Sequence, residues 1–184
     1  DPALALRAEI IREKGTDRSR FFRGEVDKYT WQEVGSSFLP GELIAAFLWA
    51  QLEEADRITN DTLASWARYH ELLQPLEAKG ILRRPIIPEE CQHNAHMYYV
   101  LLAPQIDRQG VLDELKRNKI FAVFHYVPLH SSPAGQRHGK VHGSLEMTNY
   151  QSERLIRLPL WVGITAEQQG RVVSVLGKFL GVVA

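Results

Sequence analysis

Residues 29–56, YTWQEVGSSFLPGELIAAFLWAQLEEAD, contain the most continuous apolar run of the chain, and the prediction of its fold starts from them. Positions 43–50 are apolar without interruption, so a helix here leaves no face for water. Pro40 precedes the run, and Glu42 complements the positive end of a helix that begins beside it. The run is far shorter than the roughly 20 residues of a membrane span. The sequence therefore predicts an interior helix, buried on all sides and preceded by a small-residue turn at 35–37.

The composition of the 184-residue chain argues against several classes of protein and indicates its compartment. Its charges balance to a net zero, which gives no electrostatic footprint for nucleic acid or for an anionic membrane. Cys91 is the only cysteine, so no internal disulfide can form and a reducing, cytoplasmic compartment is expected. The first residues predict an ordinary helix rather than a secretory signal, and the chain does not begin with Met. We therefore expect part of a longer cytoplasmic protein.

Helices separated by charged or proline-containing connections are predicted over the first half of the chain. The first helix begins at Asp1 and closes at Gly15. The charged segment 16–28 is expected to be a loop that is either exposed or covered by a partner. The amphipathic pattern of residues 57–79 predicts a helix that ends or kinks near Pro75.

Strands and helices are predicted to alternate in the second half of the chain. Residues 120–127 are apolar on both faces and therefore predict a central strand. Residues 128–148 are expected to form a long loop, and such loops are usually functional. The remaining predictions are a linker at 83–95, a strand at 97–103, a helix at 107–118, a strand at 156–161 and a final helix that opens with a capping box at Thr165. This order predicts a small α/β layer preceded by long helices.

Four histidines lie in or near the long loop: His125, His130, His138 and His142. Imidazole is a common metal ligand, but no acidic or cysteine side chain accompanies them before Glu146. No metal site is therefore predicted, and a histidine-loop metalloprotein is kept only as a weaker alternative. His138 and His142 are expected to have structural or surface roles, and His125 to be a hydrogen-bonded core histidine. His130 follows the strand directly and is the best functional candidate among them.

The small-residue turn at 35–37 is a second candidate site. Backbone N–H groups and hydroxyls ahead of a helix N-terminus suit a phosphate group, although such turns more often have only a structural role. Tyr29 and Trp31 lie just upstream and suit either packing or contact with a substrate. The sequence lacks the motifs of P-loop, dinucleotide-binding, zinc-protease and serine-hydrolase proteins.

The order and spacing of several motifs resemble those of a known family. One pattern is Gly-x-x-aromatic-x-x-x-acid-Leu-x-Ala-Ala-x-x-x-Ala-Gln-Leu, matched by Gly35, Phe38, Glu42, Leu43, Ala45, Ala46, Ala50, Gln51 and Leu52. Further matches are REKGT at 12–16, HYVPLH at 125–130 and RLPL at 157–160. Together they resemble the second half of the DegT/DnrJ/StrS nucleotide-sugar aminotransferases. The resemblance implies the C-terminal part of an α/β, fold-type-I transferase dependent on pyridoxal phosphate, with long helices and a small α/β domain containing a short sheet.

The resemblance also implies roles for individual residues. Ser37 stands where many family members have an asparagine that binds the cofactor phosphate across a homodimer. Leu39 stands where they have an arginine, so a charged contact is lost there. His130 belongs to a segment that approaches the sugar in the family, and Tyr29 is a further candidate for contact with the substrate. The implied small-molecule partners are a dTDP-sugar and glutamate.

The family's catalytic lysine, which holds pyridoxal phosphate as a Schiff base, has no match in this chain. No catalytic residue is therefore predicted here, and the chain alone is expected to be inactive. The implied division is a remnant of the cofactor domain with a dimer-interface segment at 1–56, a connecting helix at 57–82 and a small α/β domain at 83–184. The alternative is a dimerising small-domain module without chemistry.

Overall fold

The computed structural model describes residues 1–181 and divides the chain into two compact units, Asp1–Glu54 and Ala55–Ala184. The helices of the first unit are α1 (Pro2–Arg12), α2 (Arg18–Phe22) and α3 (Glu42–Glu53). The second unit contains α4 (Ala55–Leu72), α5 (Gln74–Ala78), β1 (Leu82–Arg83), β2 (Tyr98–Leu102), α6 (Arg108–Arg117), β3 (Val123–Phe124), α7 (Pro133–His138), α8 (Glu146–Ser152), β4 (Leu155–Leu158) and α9 (Ala166–Phe179). Over the described range, every helix is too short or too polar to span a bilayer. The domain boundaries predicted from the sequence, after positions 56 and 82, stay a prediction. Positions 182–184 of the predicted small domain at 83–184 lie outside the described residues.

Hydrogen bonds between the end of α1 and the segment before α3 hold the first unit together. α1 begins as predicted, because the Asp1 carboxylate accepts a backbone N–H hydrogen bond at 2.9 Å. Beyond α1, the Lys14 N–H donates to the Ser36 carbonyl at 2.9 Å, and the Ser36 N–H donates to the Ile11 carbonyl at 2.8 Å. Residues 35–37 thus form an extended segment paired with the end of α1, and the predicted tight turn is wrong.

Two glycines allow these backbone segments to approach closely. Gly15 has a φ of +73°, and a Cβ placed on it would lie 1.7 Å from the Glu33 carbonyl oxygen. A Cβ on Gly35 would lie 1.9 Å from the Gly15 nitrogen. No side chain fits either position unless the backbone moves. Lys14 also has a left-handed φ of 60°, which is uncommon for a residue with a side chain.

Asp17 orders the charged segment that follows. Its side chain is 6% exposed and accepts hydrogen bonds from the Thr30 N–H at 2.6 Å and from the Gln32 amide at 2.9 Å. The segment 16–28 is therefore not an irregular loop throughout, since it contains α2 and is anchored at its start by a buried carboxylate.

α3 begins where it was predicted, after Gly41, but the prediction that it is buried on all sides is wrong. None of its residues is buried, and Leu43, Phe47 and Trp49 are 88%, 71% and 68% exposed. An uninterrupted apolar pattern predicts that a helix is buried, but it does not identify the surface against which the helix is buried. Nothing else in Asp1–Glu54 supplies that surface.

A four-stranded antiparallel sheet in the order β1-β2-β4-β3 forms the centre of the second unit. β2 and β4 are its inner strands, with Val100 opposite Ile156. Alternate side chains of these strands face the helices α4, α6 and α9, which complete the core. Core side chains with almost no exposure include Tyr69, Leu73, Tyr98, Val100, Leu102, Leu115, Ile156 and Leu176.

Buried polar contacts join α4 to the end of β4 and to α9. The Tyr69 hydroxyl donates to the Pro159 carbonyl at 2.9 Å. Gln169 is completely buried; its amide nitrogen donates to the Ser65 carbonyl at 2.7 Å, and its oxygen accepts from Arg68 at 2.6 Å. These bonds satisfy polar groups that would otherwise be costly to bury.

Short-range signals predicted several element ends correctly. The helix predicted at 57–79 breaks as expected, with Pro75 in the first turn of α5. Asp107 caps α6 by accepting two backbone N–H hydrogen bonds, each 3.0 Å long. Thr165 and Gln168 form the predicted capping box at the start of α9.

The prediction of a central strand at 120–127 is wrong. β3 covers only Val123 and Phe124, and it pairs on one side, with β4, at the edge of the sheet. Both residues are exposed. An apolar run indicates that both faces of a strand can be buried, but it does not indicate whether the strand pairs with one neighbouring strand or with two. The loop predicted at 128–148 is partly helical, since it contains a 3₁₀ turn at Leu129–Ser131 and α7.

Candidate functional site

A cavity of about 570 Å³ in the first unit brings together Ser37 and Tyr29, the two candidate residues of that unit. It lies where the end of α1 pairs with the segment before α3, so residues distant in sequence reach it. Basic and hydroxyl-bearing side chains dominate its polar lining: Arg12, Lys14, Arg18, Thr16, Ser19 and Ser37.

The basic side chains of this cavity differ in how fully they are paired. Arg18 donates to Glu13 at 3.0 Å, and Arg12 lies 3.9 Å from Glu9. The Lys14 ammonium makes no hydrogen bond or ion pair with any residue in the described part of the chain. Lys14 is therefore the basic group of the cavity that is open to a ligand.

A charged cluster next to the cavity keeps Glu9 ionised. Arg23 donates to Glu9 at 2.6 and 2.9 Å, and to Glu25 at 2.6 Å. The hydrogen bond from Arg23 lowers the pKa of Glu9 below its ordinary value, although burial acts in the opposite direction. A carboxylate at Glu9 then partly neutralises Arg12.

Ser37 has two hydrogen-bond donors without an acceptor among the described residues. Its hydroxyl makes no hydrogen bond. Its N–H also donates to no described residue. The backbone hydrogen bonds between this segment and the end of α1 are made by the residues on either side of Ser37; for example, the Phe38 N–H donates to the Arg12 carbonyl at 3.0 Å. Ser37 itself lies in a bridge opposite Glu13. Both donors are therefore open to a ligand.

Tyr29 borders the same cavity through its ring. The ring packs edge-on against Phe21 with 5.7 Å between centroids, and the Arg18 guanidinium lies 6.0 Å from its centre. Half of the residue is exposed. This packing orients the ring at the edge of the cavity, and its contact with a substrate stays a prediction.

The donors of this cavity fit a phosphate group. Phosphate oxygens accept hydrogen bonds from hydroxyl and N–H groups and pair with cations. Ser37 offers a hydroxyl and a backbone N–H as hydrogen-bond donors, and Lys14 offers a cation. The chemistry of the cavity thus fits the phosphate of pyridoxal phosphate, and the cofactor role of Ser37 stays a prediction.

His130, the third candidate residue, lies in the second unit. Its Nε2 is 2.9 Å from the Asn149 Oδ1. Asn149 lines a cavity of about 560 Å³ together with His125 and Tyr126. His130 therefore reaches this cavity through its hydrogen-bond partner, and its contact with a substrate stays a prediction.

The prediction that His125 is a satisfied core histidine is wrong. Its Nδ1 is buried but has no hydrogen-bond partner. His138 and His142 are exposed, as expected for surface residues. Within residues 1–181, no group of three or more histidine, cysteine or acidic side chains is arranged to hold a metal ion.

The sequence did not indicate that Arg12, Lys14 and Arg18 belong to a site. The only signal was the density of basic residues over positions 12–18. That signal is weak, because charged residues at a helix end are usually explained by the helix itself. The left-handed backbone at Lys14, which turns this segment towards Ser37, has no signature in the sequence.

Comparison with solved structures identifies the fold. DesV of S. venezuelae superposes with a TM-score of 0.81 at 23% identity, covering 100% of this chain and 46% of that chain. The aminotransferase TlmJ of Streptoalloteichus hindustanus gives 0.79 at 20% identity, covering 98% of this chain and 46% of that chain. The fold is thus that of part of an aminotransferase. The predicted fold class, the α/β C-terminal part of a fold-type-I transferase, is confirmed.

Comparison of sequences then identifies the family. The chain belongs to the DegT/DnrJ/EryC1/StrS aminotransferase family, whose model matches residues 1–177. A dTDP-4-dehydro-2,3,6-trideoxy-D-glucose 4-aminotransferase of Saccharopolyspora spinosa is 26% identical over 138 residues, which are 72% of this chain and 35% of that protein. A pleiotropic regulatory protein of Geobacillus stearothermophilus is 28% identical over 182 residues, which are 97% of this chain and 45% of that protein. The chain thus spans less than half the length of these relatives.

Proposed function

We propose that this chain is the C-terminal portion of a sugar aminotransferase dependent on pyridoxal phosphate. The intact protein would replace the keto group of a dTDP-4-keto-6-deoxyhexose by an amine, with glutamate as the donor. The reaction we favour is that of a dTDP-4-amino-4,6-dideoxygalactose transaminase, in the cytoplasm and in the synthesis of cell-surface polysaccharide or antigen. Family membership supports the reaction class. The observation that carries the site is the cavity shared by Ser37 and three basic side chains.

Residues of this chain would bind and position the cofactor. When bound, pyridoxal phosphate supplies an electron sink for proton transfer at the carbon that carries nitrogen. Ser37 would hold the phosphate with its hydroxyl and its N–H, the two donors that have no partner among the described residues. No lysine here matches the family's catalytic lysine. We therefore propose that the rest of the protein supplies that lysine and that this chain alone is inactive.

His130 would contact the sugar nucleotide, and Asn149 would set the tautomer of its ring. Because the Asn149 Oδ1 can only accept, the 2.9 Å contact makes the His130 Nε2 the donor. In the neutral ring this leaves Nδ1 as an acceptor, which suits a sugar hydroxyl. Tyr29, at the other cavity, would supply a ring face or a hydroxyl to the substrate.

A homodimer is the second part of the proposal. α3 presents large apolar side chains that no other residue of Asp1–Glu54 covers. Exposed apolar patches beyond a few hundred Å² are uncommon on monomers. The intact protein is expected to sediment as a dimer at micromolar concentration. A stable monomer under those conditions would contradict an interface at α3.

The roles of Ser37 and His130 can be separated by measuring the two half-reactions of the intact protein. Ser37→Ala removes one hydrogen bond to a charged group, worth roughly 1.5–3 kcal/mol, so affinity for pyridoxal phosphate should weaken about ten- to a hundredfold. Both half-reactions should slow together, and added cofactor should restore them. His130→Ala should leave the half-reaction with glutamate nearly unchanged and slow the half-reaction with the keto sugar.

Stopped-flow absorbance of the bound cofactor follows each half-reaction directly. Ser132→Ala is a suitable control, because among the described residues its hydroxyl bonds only within the 3₁₀ turn and α7. If Ser37→Ala and His130→Ala slow both half-reactions equally, without rescue by cofactor, the two residues are structural and the assigned roles are wrong.

A further inference from the structure

The backbone conformation of Lys14 is strained and is imposed by its surroundings. Its φ of 60° lies in the left-handed region, which residues with a Cβ seldom adopt. The hydrogen bond from its N–H to the Ser36 carbonyl, at 2.9 Å, and the close packing of Gly15 against Glu33 fix the backbone there. Glycine would adopt this conformation without strain. Strain of this kind persists where the structure over-determines it, and it is found preferentially at functional sites.

The left-handed conformation decides where the Lys14 side chain lies. Glu13 is opposite Ser37 in a bridge, so in a regular extended segment the side chain of the next residue would lie on the other face. Lys14 departs from that alternation. As a result, Glu13, Lys14 and Ser37 all line the same cavity.

Charges around this cavity leave one cation without a partner. Its lining contains the basic residues Arg12, Lys14 and Arg18 and the acidic residues Glu13 and Glu42. Arg18 is paired with Glu13 at 3.0 Å, and Arg12 donates to the Ser19 hydroxyl at 3.4 Å while lying near Glu9. Lys14 has no such partner among the described residues. Glu42 also has no partner among them, so the lining offers one unpaired cation and one unpaired carboxylate, and Lys14 is the group to which the negative charge of a ligand can bind.

We propose that Lys14 is the anion-binding residue of this cavity and pairs with a phosphoryl group that Ser37 also holds. This proposal rests on the proposed function, which supplies two ligands with phosphoryl oxygens, pyridoxal phosphate and a dTDP-sugar. Leu39 lines the same cavity and carries no charge, so Lys14 provides the charged contact. Lysine suits this task as a compact cation on a flexible stem.

The test measures ligand binding to the intact protein by titration calorimetry. Lys14→Asn removes the charge and keeps a residue that tolerates the left-handed backbone. Lys119→Asn is the matched control, because Lys119 has a φ of 59° and lies in the second unit. The probes are pyridoxal phosphate, dTDP and inorganic pyrophosphate. Lys14→Asn should weaken binding of at least one probe about ten- to a hundredfold and reduce its dependence on salt, whereas Lys119→Asn should bind like the parent protein.

The probes distinguish the two possible ligands. A loss confined to pyridoxal phosphate assigns Lys14 to the cofactor, and a loss confined to dTDP assigns it to the nucleotide. Lys14→Arg should keep most of the affinity in either case, which separates charge from a change in folding. Unchanged affinity of Lys14→Asn for all three probes, or an equal loss in Lys119→Asn, overturns the proposal. If pyrophosphate binds through Lys14 but no amino group is transferred, the proposed function fails while the anion site stands.

Discussion

Replacement of Gly15 by alanine should disrupt the first unit, because two independent costs meet at this position. The left-handed φ of +73° costs an alanine roughly 1–2 kcal/mol. In addition, the new Cβ would lie 1.7 Å from the Glu33 carbonyl oxygen, so the backbone must separate. That movement breaks the bonds from Gln32 and Glu33 to the Gly15 carbonyl and from Lys14 to Ser36. At about 1 kcal/mol for each of these three bonds, the total loss should be about 4–5 kcal/mol.

Gly24→Ala is a control that isolates the close approach from the backbone strain. Gly24 also has a φ of +73° and lies in the same unit, but nothing lies within 4 Å of its Cβ position. Its replacement should therefore cost only about 1–2 kcal/mol. The lower entropy of the unfolded chain, which accompanies any glycine-to-alanine change, applies to both variants and cancels.

Hydrogen exchange of individual amides measures these losses where they occur. In Gly15→Ala, the amides of Lys14, Ser36 and Phe38 should lose protection by about a thousandfold, while those of α9 are unchanged. Phosphate affinity at Ser37 should fall with them. Equal losses of protection in Gly15→Ala and Gly24→Ala would refute the reasoning, because they would show that the close approach contributes nothing.

Two further predictions concern the second unit. Gln169→Leu should lower the free energy of unfolding by roughly 1–3 kcal/mol, because Arg68 then loses its buried acceptor. As a control, Gln136→Leu on the exposed α7 should change the free energy of unfolding by less than about 0.5 kcal/mol. Equal effects of the two substitutions in denaturant unfolding would contradict this prediction. The pKa of His70 is lowered by burial and by the charge of Arg84, so the unfolded chain binds a proton more readily than the folded chain. The free energy of unfolding should therefore fall as pH decreases below about 6.5. An NMR titration midpoint of His70 at or above that pH would contradict the structure.

Elements specified by short-range chemistry were predictable from the sequence. The break before Pro75 follows from a missing N–H and a fixed φ, and the starts of α6 and α9 follow from Asp107 and from the capping box at Thr165. Each of these signals acts within one helical turn. The family motifs, including the pattern around Gly35, indicated the fold class together, by their order and spacing.

Features that depend on distant or absent surfaces were not predictable. α3 is apolar almost throughout, yet the other residues of Asp1–Glu54 do not supply the surface that should cover it. β3 is apolar on both faces but lies at the sheet edge, because strand order is decided by long-range pairing. The place of Lys14 in the lining of the cavity at Ser37 depends on its left-handed conformation, which the hydrogen bond to Ser36 and the packing of Gly15 fix. The residue types of the site were visible, but their proximity was not.

Transfer of labelled nitrogen tests the central claim most directly. The intact protein, supplied with pyridoxal phosphate, ¹⁵N-glutamate and a dTDP-4-keto-6-deoxyhexose, should place ¹⁵N on carbon 4 of the sugar and release 2-oxoglutarate in equal amount. Omission of any one of these three should abolish transfer. A protein that binds the cofactor and the nucleotide but transfers no label to any dTDP-4-keto sugar would contradict the account.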